Sequence, residues 1–149
     1  VEYPREVCAR AEVVVLALMD SDVVDQVVSG AEGLLSGPAR PSLIIDTSTG
    51  EPESTAALAA KLADRGIDYV DATVSGNSTE VALRRAVFMV GGENDAVRRA
   101  GPILAALSER RFHVGPAGAG SKAKLVTNLM LGLNRLVLAE TLVFAESLG

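Results

Sequence analysis

The sequence predicts an α/β fold built on a mostly parallel, doubly wound sheet, and three observations carry that expectation. Short apolar runs of strand length alternate with longer helical stretches along the chain. Two of the runs, Val13-Val14-Val15-Leu16-Ala17-Leu18 and Leu43-Ile44-Ile45, contain no polar residue, as suits strands covered on both faces. Polar loops at Thr49, Ser75 and Gly118 each follow a strand, and ligands of open α/β sheets bind beyond the carboxyl ends of the strands.

Each element has a local reason. After the first strand, Asp20 or Ser21 can cap a helix through about Ser29, and Gly30, Gly33 and Gly37-Pro38 punctuate the return to the second strand at Leu43 to Ile45. Thr49 with Pro52 starts the next helix, which runs through Leu58 and Leu62 to a stop at Gly66. The third strand is expected at Asp68 to Ala72 and the fourth at Val87 to Val90. Glu93-Asn94-Asp95 opens a helix that Gly101-Pro102 should kink before Ile103 to Leu107 completes it. Arg111 to Val114 makes a fifth short strand. A final helix from about Ser121 to Leu148 would be roughly 28 residues, or about 42 Å long. Its apolar residues spread around most of the circumference, so it should have neighbours on several sides or self-associate. The Gly/Pro-rich stretch Gly115 to Gly120 marks a domain boundary, dividing the chain into residues 1–116 and 117–149.

Composition narrows the function classes. The 149 residues are 48% hydrophobic, enough for one domain with a real core. Lys+Arg total 14 against Asp+Glu 19, a net charge of −5, so no basic surface is offered to nucleic acid. One cysteine, Cys8, and one histidine, His113, cannot build an ordinary structural zinc site, and no internal disulfide is possible; a reducing cytoplasm and no metal are the default. Val1 to Arg10 is charged and lacks the apolar core of a secretory signal. Asn128, Asn134, Arg135, Glu140 and Glu146 interrupt the apolar stretch Leu125 to Leu148 and argue against a membrane span.

The candidate chemistry centres on Gly118-Ala119-Gly120-Ser121-Lys122-Ala123-Lys124-Leu125-Val126-Thr127-Asn128. Lys124 and Asn128 lie four residues apart on one helical face, so an ammonium and an amide can address one small molecule. Apolar neighbours would draw them out of bulk water, which makes Lys124 a candidate proton donor or electrostatic clamp; a solvated helical lysine is the plain alternative. Lys122 reads as solvated. Upstream, Asp71-Ala72-Thr73-Val74-Ser75-Gly76-Asn77 leads from a strand into a turn, where the Ser75 hydroxyl and the backbone at Gly76 could hold a carboxylate, or could form only a turn.

Taken in order, Ile44-Ile45-Asp46-Thr47-Ser48-Thr49, Asp-Ala-x-Val-Ser-Gly at Asp71 to Gly76, Phe88-Met89-Val90-Gly91-Gly92, His113-Val114-Gly115-Pro116-x-Gly118-x-Gly120 and the Lys124/Asn128 pair resemble the β-hydroxyacid dehydrogenase family, with 3-hydroxyisobutyrate dehydrogenase as its familiar type. The resemblance runs from about Ala11 to Gly149. It implies a Rossmann-type sheet lacking its first βαβ unit, since no G-x-G-x-x-G turn occurs near Val1, followed by a long interdomain helix that begins an all-helical substrate and dimerisation domain. It implies an oxidoreductase that passes a hydride between NAD or NADP and a small β-hydroxyacid or its semialdehyde. Lys124 would be catalytic, Ser75, Gly76 and Asn128 would bind a small carboxylate substrate, and Leu18, Met19 and Thr49 would face the cofactor. A homo-oligomer, dimeric or larger, is implied as well. Met19 and Asn77 depart from the family, which often has Pro and Gly there. The 6-phosphogluconate dehydrogenases resemble this pattern but carry a histidine where Thr127 stands, and imine reductases usually lack the lysine. The alternative is a truncated or non-catalytic Rossmann-like interaction module without bound dinucleotide.

Overall fold

The computed structural model describes residues 1–149. After a short 3-10 turn at Pro4–Glu6, ten elements follow: β1 (Val13–Leu16), α1 (Ser21–Ser29), β2 (Leu43–Asp46), α2 (Pro52–Ala63), β3 (Asp68–Ser75), α3 (Ser78–Ala82), β4 (Val87–Gly91), α4 (Asn94–Leu107), β5 (Arg110–Gly115) and α5 (Ala119–Ser147). The strands form one sheet in the order β1-β2-β3-β4-β5. β1, β2 and β3 run parallel, with Ile44 beside both Val14 and Tyr69. β4 is antiparallel to β3, Thr73 facing Met89, and β5 is parallel to β4. The sheet is therefore mostly parallel, as expected.

The β3–β4 reversal has a local cause. A parallel crossover needs about a dozen residues or more. The link from Gly76 to Ala86 is shorter and holds only the small helix α3, so it returns the chain as a hairpin. Pairing with β4 also extends β3 to Ser75, past the expected end at Ala72, because Thr73, Val74 and Ser75 align with Met89, Phe88 and Val87.

Alternation along the strands divides the core in two. Val14, Leu16, Ile44 and Tyr69 pack with Val24 and Val28 of α1 and Leu58 and Leu62 of α2 on one face. Leu43, Ile45, Val70, Ala72, Phe88 and Val90 pack with Ala96, Ala100 and Leu104 of α4 on the other. α5 joins the first face, lying over β3 and β4 beside α2. Helices thus cover both sides, which is the doubly wound arrangement.

Other boundaries differ for physical reasons. β1 stops at Leu16, and Val15 is 45% exposed: α4 packs chiefly on β2, β3 and β5, and on that face of β1 only Val13 packs against its cluster, so the expected two-sided cover is incomplete there. Asp20 is the cap of α1, its carboxylate accepting from the Val23 amide at 2.9 Å. Pro52 occupies the first turn of α2, and Gly66 takes φ 70° after it. α4 is one helix with Pro102 inside it. α5 begins two residues earlier than expected, after Gly118 at φ 90°. Most of α5 is exposed, including Leu129, Leu133 and Leu136. By length and composition alone it could cross a membrane.

Candidate active site

The loops after β1 and β2 are tied into one rim. The Ser48 hydroxyl accepts from the Leu18 amide at 2.9 Å, while the Ser48 amide donates to Asp46 Oδ1 at 2.9 Å. Thr47 Oγ1 donates to the Leu16 carbonyl at 2.7 Å, and the Glu51 amide donates to Ser21 Oγ at 2.8 Å. Gly50 fits against Ser21, because a Cβ there would stand 2.7 Å from Ser21 Oγ. This braced rim presents Leu18 and Thr49, and leaves Met19 86% exposed. A shallow groove lined by Asp20, Ser21, Thr49, Gly50 and Pro52 reaches across to Leu125 of α5. The cofactor-facing residues expected from sequence thus share one rim, and the groove joins it to the helix carrying Lys124.

The start of α5 is fixed to β3 rather than by its own N-cap, since Gly118 has no side chain to offer. Thr73 Oγ1 donates to the Gly120 carbonyl at 2.8 Å, and the Ser121 amide donates to Asp71 Oδ2 at 3.0 Å. Ser121 Oγ also meets Thr55 Oγ1 of α2 at 3.5 Å. Gly120 is required by contact: a Cβ would come within 2.5 Å of the Met89 carbonyl oxygen and 2.8 Å of Asp71 Oδ2. Asp71 is only 2% exposed, and its Oδ1 has no hydrogen-bond partner. Burial pushes its carboxyl above the usual carboxylate range, opposed by surrounding backbone amides, Ser121 foremost.

Lys124 is half-buried one turn further on, while Asn128 is exposed. The Lys124 ammonium forms no ion pair within the chain. Burial lowers its pKa below the ordinary lysine value. Thr127 Oγ1 donates to the Lys124 carbonyl at 2.9 Å, so that threonine serves its own helix. Ser75 shares the face of β3 that carries Asp71 and Thr73, the face over which α5 lies, because side chains alternate along a strand. It stands at a strand end rather than in a loop. Gly76 follows at φ 146° with Glu80 Oε2 3.0 Å from its notional Cβ.

Asn77 caps α3 in a reciprocal capping box: its Oδ1 accepts from the Glu80 amide and its own amide donates to Glu80 Oε2, both at 2.9 Å. The departure at Asn77 therefore has a structural use. His113 Nε2 sits 2.9 Å from the Gly92 carbonyl and 3.0 Å from that of Gly115, a loop-bracing position. Two site-shaping residues were not singled out from sequence. Asp46 accepts from Ser48 and, at Oδ2, from the buried Tyr69 hydroxyl at 2.7 Å. Asp71 caps α5 from across the fold. The Asp-x-Ser spacing at Asp46 was the available signal for the first, and nothing local signals the second.

A mostly parallel sheet with helices on both faces, carrying a braced rim beyond β1 and β2, defines a Rossmann-type α/β domain. Residues 1–115 match the family described as the NAD binding domain of 6-phosphogluconate dehydrogenase, and the chain belongs to that family. NAD or NADP is accordingly its cofactor, and the rim fits one: a hydrogen-bonded backbone, an exposed threonine at Thr49 and an exposed apolar side chain at Met19. The 2-(hydroxymethyl)glutarate dehydrogenase of Eubacterium barkeri is 35% identical over 148 residues, 99% of this chain and 49% of that protein. The structure of Mycobacterium tuberculosis 3-hydroxyisobutyrate dehydrogenase with L-serine matches with a TM-score of 0.87 at 36% identity, over 97% of this chain and 48% of that one. Psf3 in complex with NADP+ and 2-OPP shares the fold, with a TM-score of 0.83 at 24% identity over 95% of this chain and 50% of that one. The chain spans about half the length of the curated relatives it matches. The relatives are hydroxyacid dehydrogenases, as the sequence resemblance implied.

Proposed function

We propose that this chain supplies the cofactor rim and the proton-carrying lysine of an NAD(P)-dependent dehydrogenase acting on small β-hydroxyacids or their semialdehydes. One observation carries the reading: Lys124 is half-buried, has no counter-ion, and loses proton affinity through burial. A charged amine held so needs an anionic or polarised oxygen beside it. The nicotinamide supplies or accepts the hydride. Lys124 then gives its proton to the carbonyl oxygen in reduction, and in oxidation its neutral amine, favoured by burial, takes the hydroxyl proton as the hydride leaves carbon. Ser75 and the Gly76 backbone hold the substrate carboxylate, Asn128 orients the hydroxyl end, and Leu18, Met19 and Thr49 lie against the cofactor.

The names of three relatives support the substrate class, for 2-(hydroxymethyl)glutarate, 3-hydroxyisobutyrate and L-serine each place a hydroxymethyl group on the carbon next to a carboxylate. A cytoplasmic homo-oligomer, the domain boundary at 116/117 and the absence of nucleic-acid or membrane partners belong to the same proposal. The exposed face of α5 favours one other reading, an interaction module without dinucleotide. Titration of the full-length protein with NADH and NADPH by fluorescence, then assay of the three hydroxyacids, separates the two. Binding and turnover, with turnover abolished in Lys124→Ala at unchanged nucleotide affinity, is the expected result. Absence of nucleotide binding would favour the interaction module, and turnover by Lys124→Ala would remove the lysine from the mechanism.

A further inference from the structure

We infer that Asp71 and Thr73 are positioning residues for Lys124, and that they act by gripping both ends of one peptide group at the start of α5. The inference rests on the proposed role of Lys124. The carbonyl that accepts from Thr73 Oγ1 at 2.8 Å belongs to Gly120, and the amide that donates to Asp71 Oδ2 at 3.0 Å belongs to Ser121. These are the two halves of a single planar peptide unit. Their partners are alternate residues of β3, both buried and both on the face that α5 covers. Pinning a planar group at its oxygen and its N–H fixes the first turn of the helix against roll as well as slide. Lys124 lies one turn later, four residues after Gly120 and on the same side of the helix.

A purely stabilising cap would be built differently. Ser121 is the third residue of α5, the position whose amide an ordinary N-cap side chain satisfies. A local Asp or Ser at the cap would do this on the surface, yet would leave the helix free to shift over the sheet. Here the cap is Gly118, and the acceptor comes from the sheet, 50 residues earlier in sequence. That choice buries a carboxyl group whose Oδ1 finds no partner, which opposes folding. It also requires glycine twice: a Cβ on Gly91 would meet Asp71 Oδ1 at 2.1 Å, and one on Gly120 would meet Oδ2 at 2.8 Å. The arrangement gives up stability and gains a fixed relation between β3 and α5. Ser75 stands on β3 and Lys124 on α5, so the same grip sets the lysine against the proposed carboxylate site.

The test separates geometry from charge. Asp71→Ala removes both the acceptor and the charge; Asp71→Asn removes the charge but keeps an oxygen for the Ser121 amide. In the full-length protein, kcat should fall about 10²-fold in Asp71→Ala, the scale of an ångström-sized misplacement of a reacting group. NADH affinity should stay unchanged, and Asp71→Asn should retain most of kcat. A second readout is independent of turnover: after reductive methylation with 13C-formaldehyde, the Lys124 dimethylamine NMR signal, assigned by its loss in Lys124→Ala, should move in Asp71→Ala and hold in Asp71→Asn. Equal losses in the two variants, or no loss in either, would overturn the inference. Where Asp71→Ala does not fold, Thr73→Val decides by the same two readouts, and an unchanged kcat with an unmoved signal overturns it. If Lys124→Ala itself keeps turnover, the proposed catalytic role of Lys124 has failed while the dehydrogenase reading stands; the grip then stands or falls on whether the Lys124 signal moves.

Discussion

Tyr69 donates its hydroxyl to Asp46 Oδ2 at 2.7 Å, a diagonal contact between neighbouring parallel strands, since Tyr69 lies beside Ile44. Both residues are buried, and the other oxygen of Asp46 holds the Ser48 amide. Burial and the adjoining Asp46 carboxylate push the Tyr69 hydroxyl pKa well above its ordinary value, so the phenol stays a donor. Tyr69→Phe leaves a buried carboxylate oxygen unpaired. Stability should drop by about 1–3 kcal/mol in urea unfolding. Because Ser48 also braces Leu18, nucleotide affinity should weaken in the same variant. A midpoint unmoved by the substitution would show that the pair contributes nothing.

The same change, glycine to alanine, should have opposite effects at two helical positions. At Gly120 the added methyl would lie 2.5 Å from the Met89 carbonyl oxygen, so α5 must lift from β4. Overpacking of this kind costs about 1–3 kcal/mol. At Gly101, inside α4, a Cβ meets nothing within 4 Å. Alanine there should stabilise by about 0.4–1 kcal/mol through lower unfolded-chain entropy and better helix propensity. Denaturation of both variants beside the parent chain checks the pair, and a stabilised Gly120→Ala would contradict the close approach of α5.

Asp71 should give the fold a recognisable pH dependence. Its carboxyl binds a proton more tightly folded than unfolded, because burial raises its pKa. Between the ordinary carboxylate range and that raised value the folded state therefore holds more protons, and stability falls as pH rises. Asp71→Asn removes this contribution. The stability difference between Asp71→Asn and the parent should shift in favour of the variant as pH climbs from about 4 toward neutrality. Parallel curves from urea unfolding across that range would mean that Asp71 titrates normally.

The fold was legible where local chemistry and global structure agree. Asp20 before an apolar helical run, Pro52 in a first turn and Gly66 after a last one each placed an element end correctly. Failures arose where pairing overrode local signals. Thr73 to Ser75 reads as the start of a loop until β4 is present to extend the strand. α3 is masked in the sequence: Asn77-x-x-Glu80 is a capping-box spacing, but Ser75-Gly76-Asn77 reads as a turn. The candidate residues Lys124 and Thr49 stood out in sequence, the first by its helical spacing from Asn128 and the second by the family resemblance. Asp46 and Asp71 did not, because their use depends on burial and on partners brought up by the fold.

α5 leads to the last prediction. Leu129, Leu133 and Leu136 recur at i, i+4 and i+7, so they form one stripe, and each is more than half exposed. Phe144, Val137 and Met130 are exposed as well, giving an apolar surface larger than a soluble monomer ordinarily leaves in water. Within the long apolar window, Arg135 and Glu140 would be costly in a bilayer but lie comfortably at the rim of a protein interface. The 149-residue chain should therefore self-associate at micromolar concentration, and replacing Leu129, Leu133 and Leu136 together with lysine should return it to a monomer without loss of helical signal. Sedimentation equilibrium of the two chains reads the difference directly. A parent chain that stays monomeric, or one that instead floats with phosphatidylcholine vesicles, would assign the stripe a role other than pairing with a second copy.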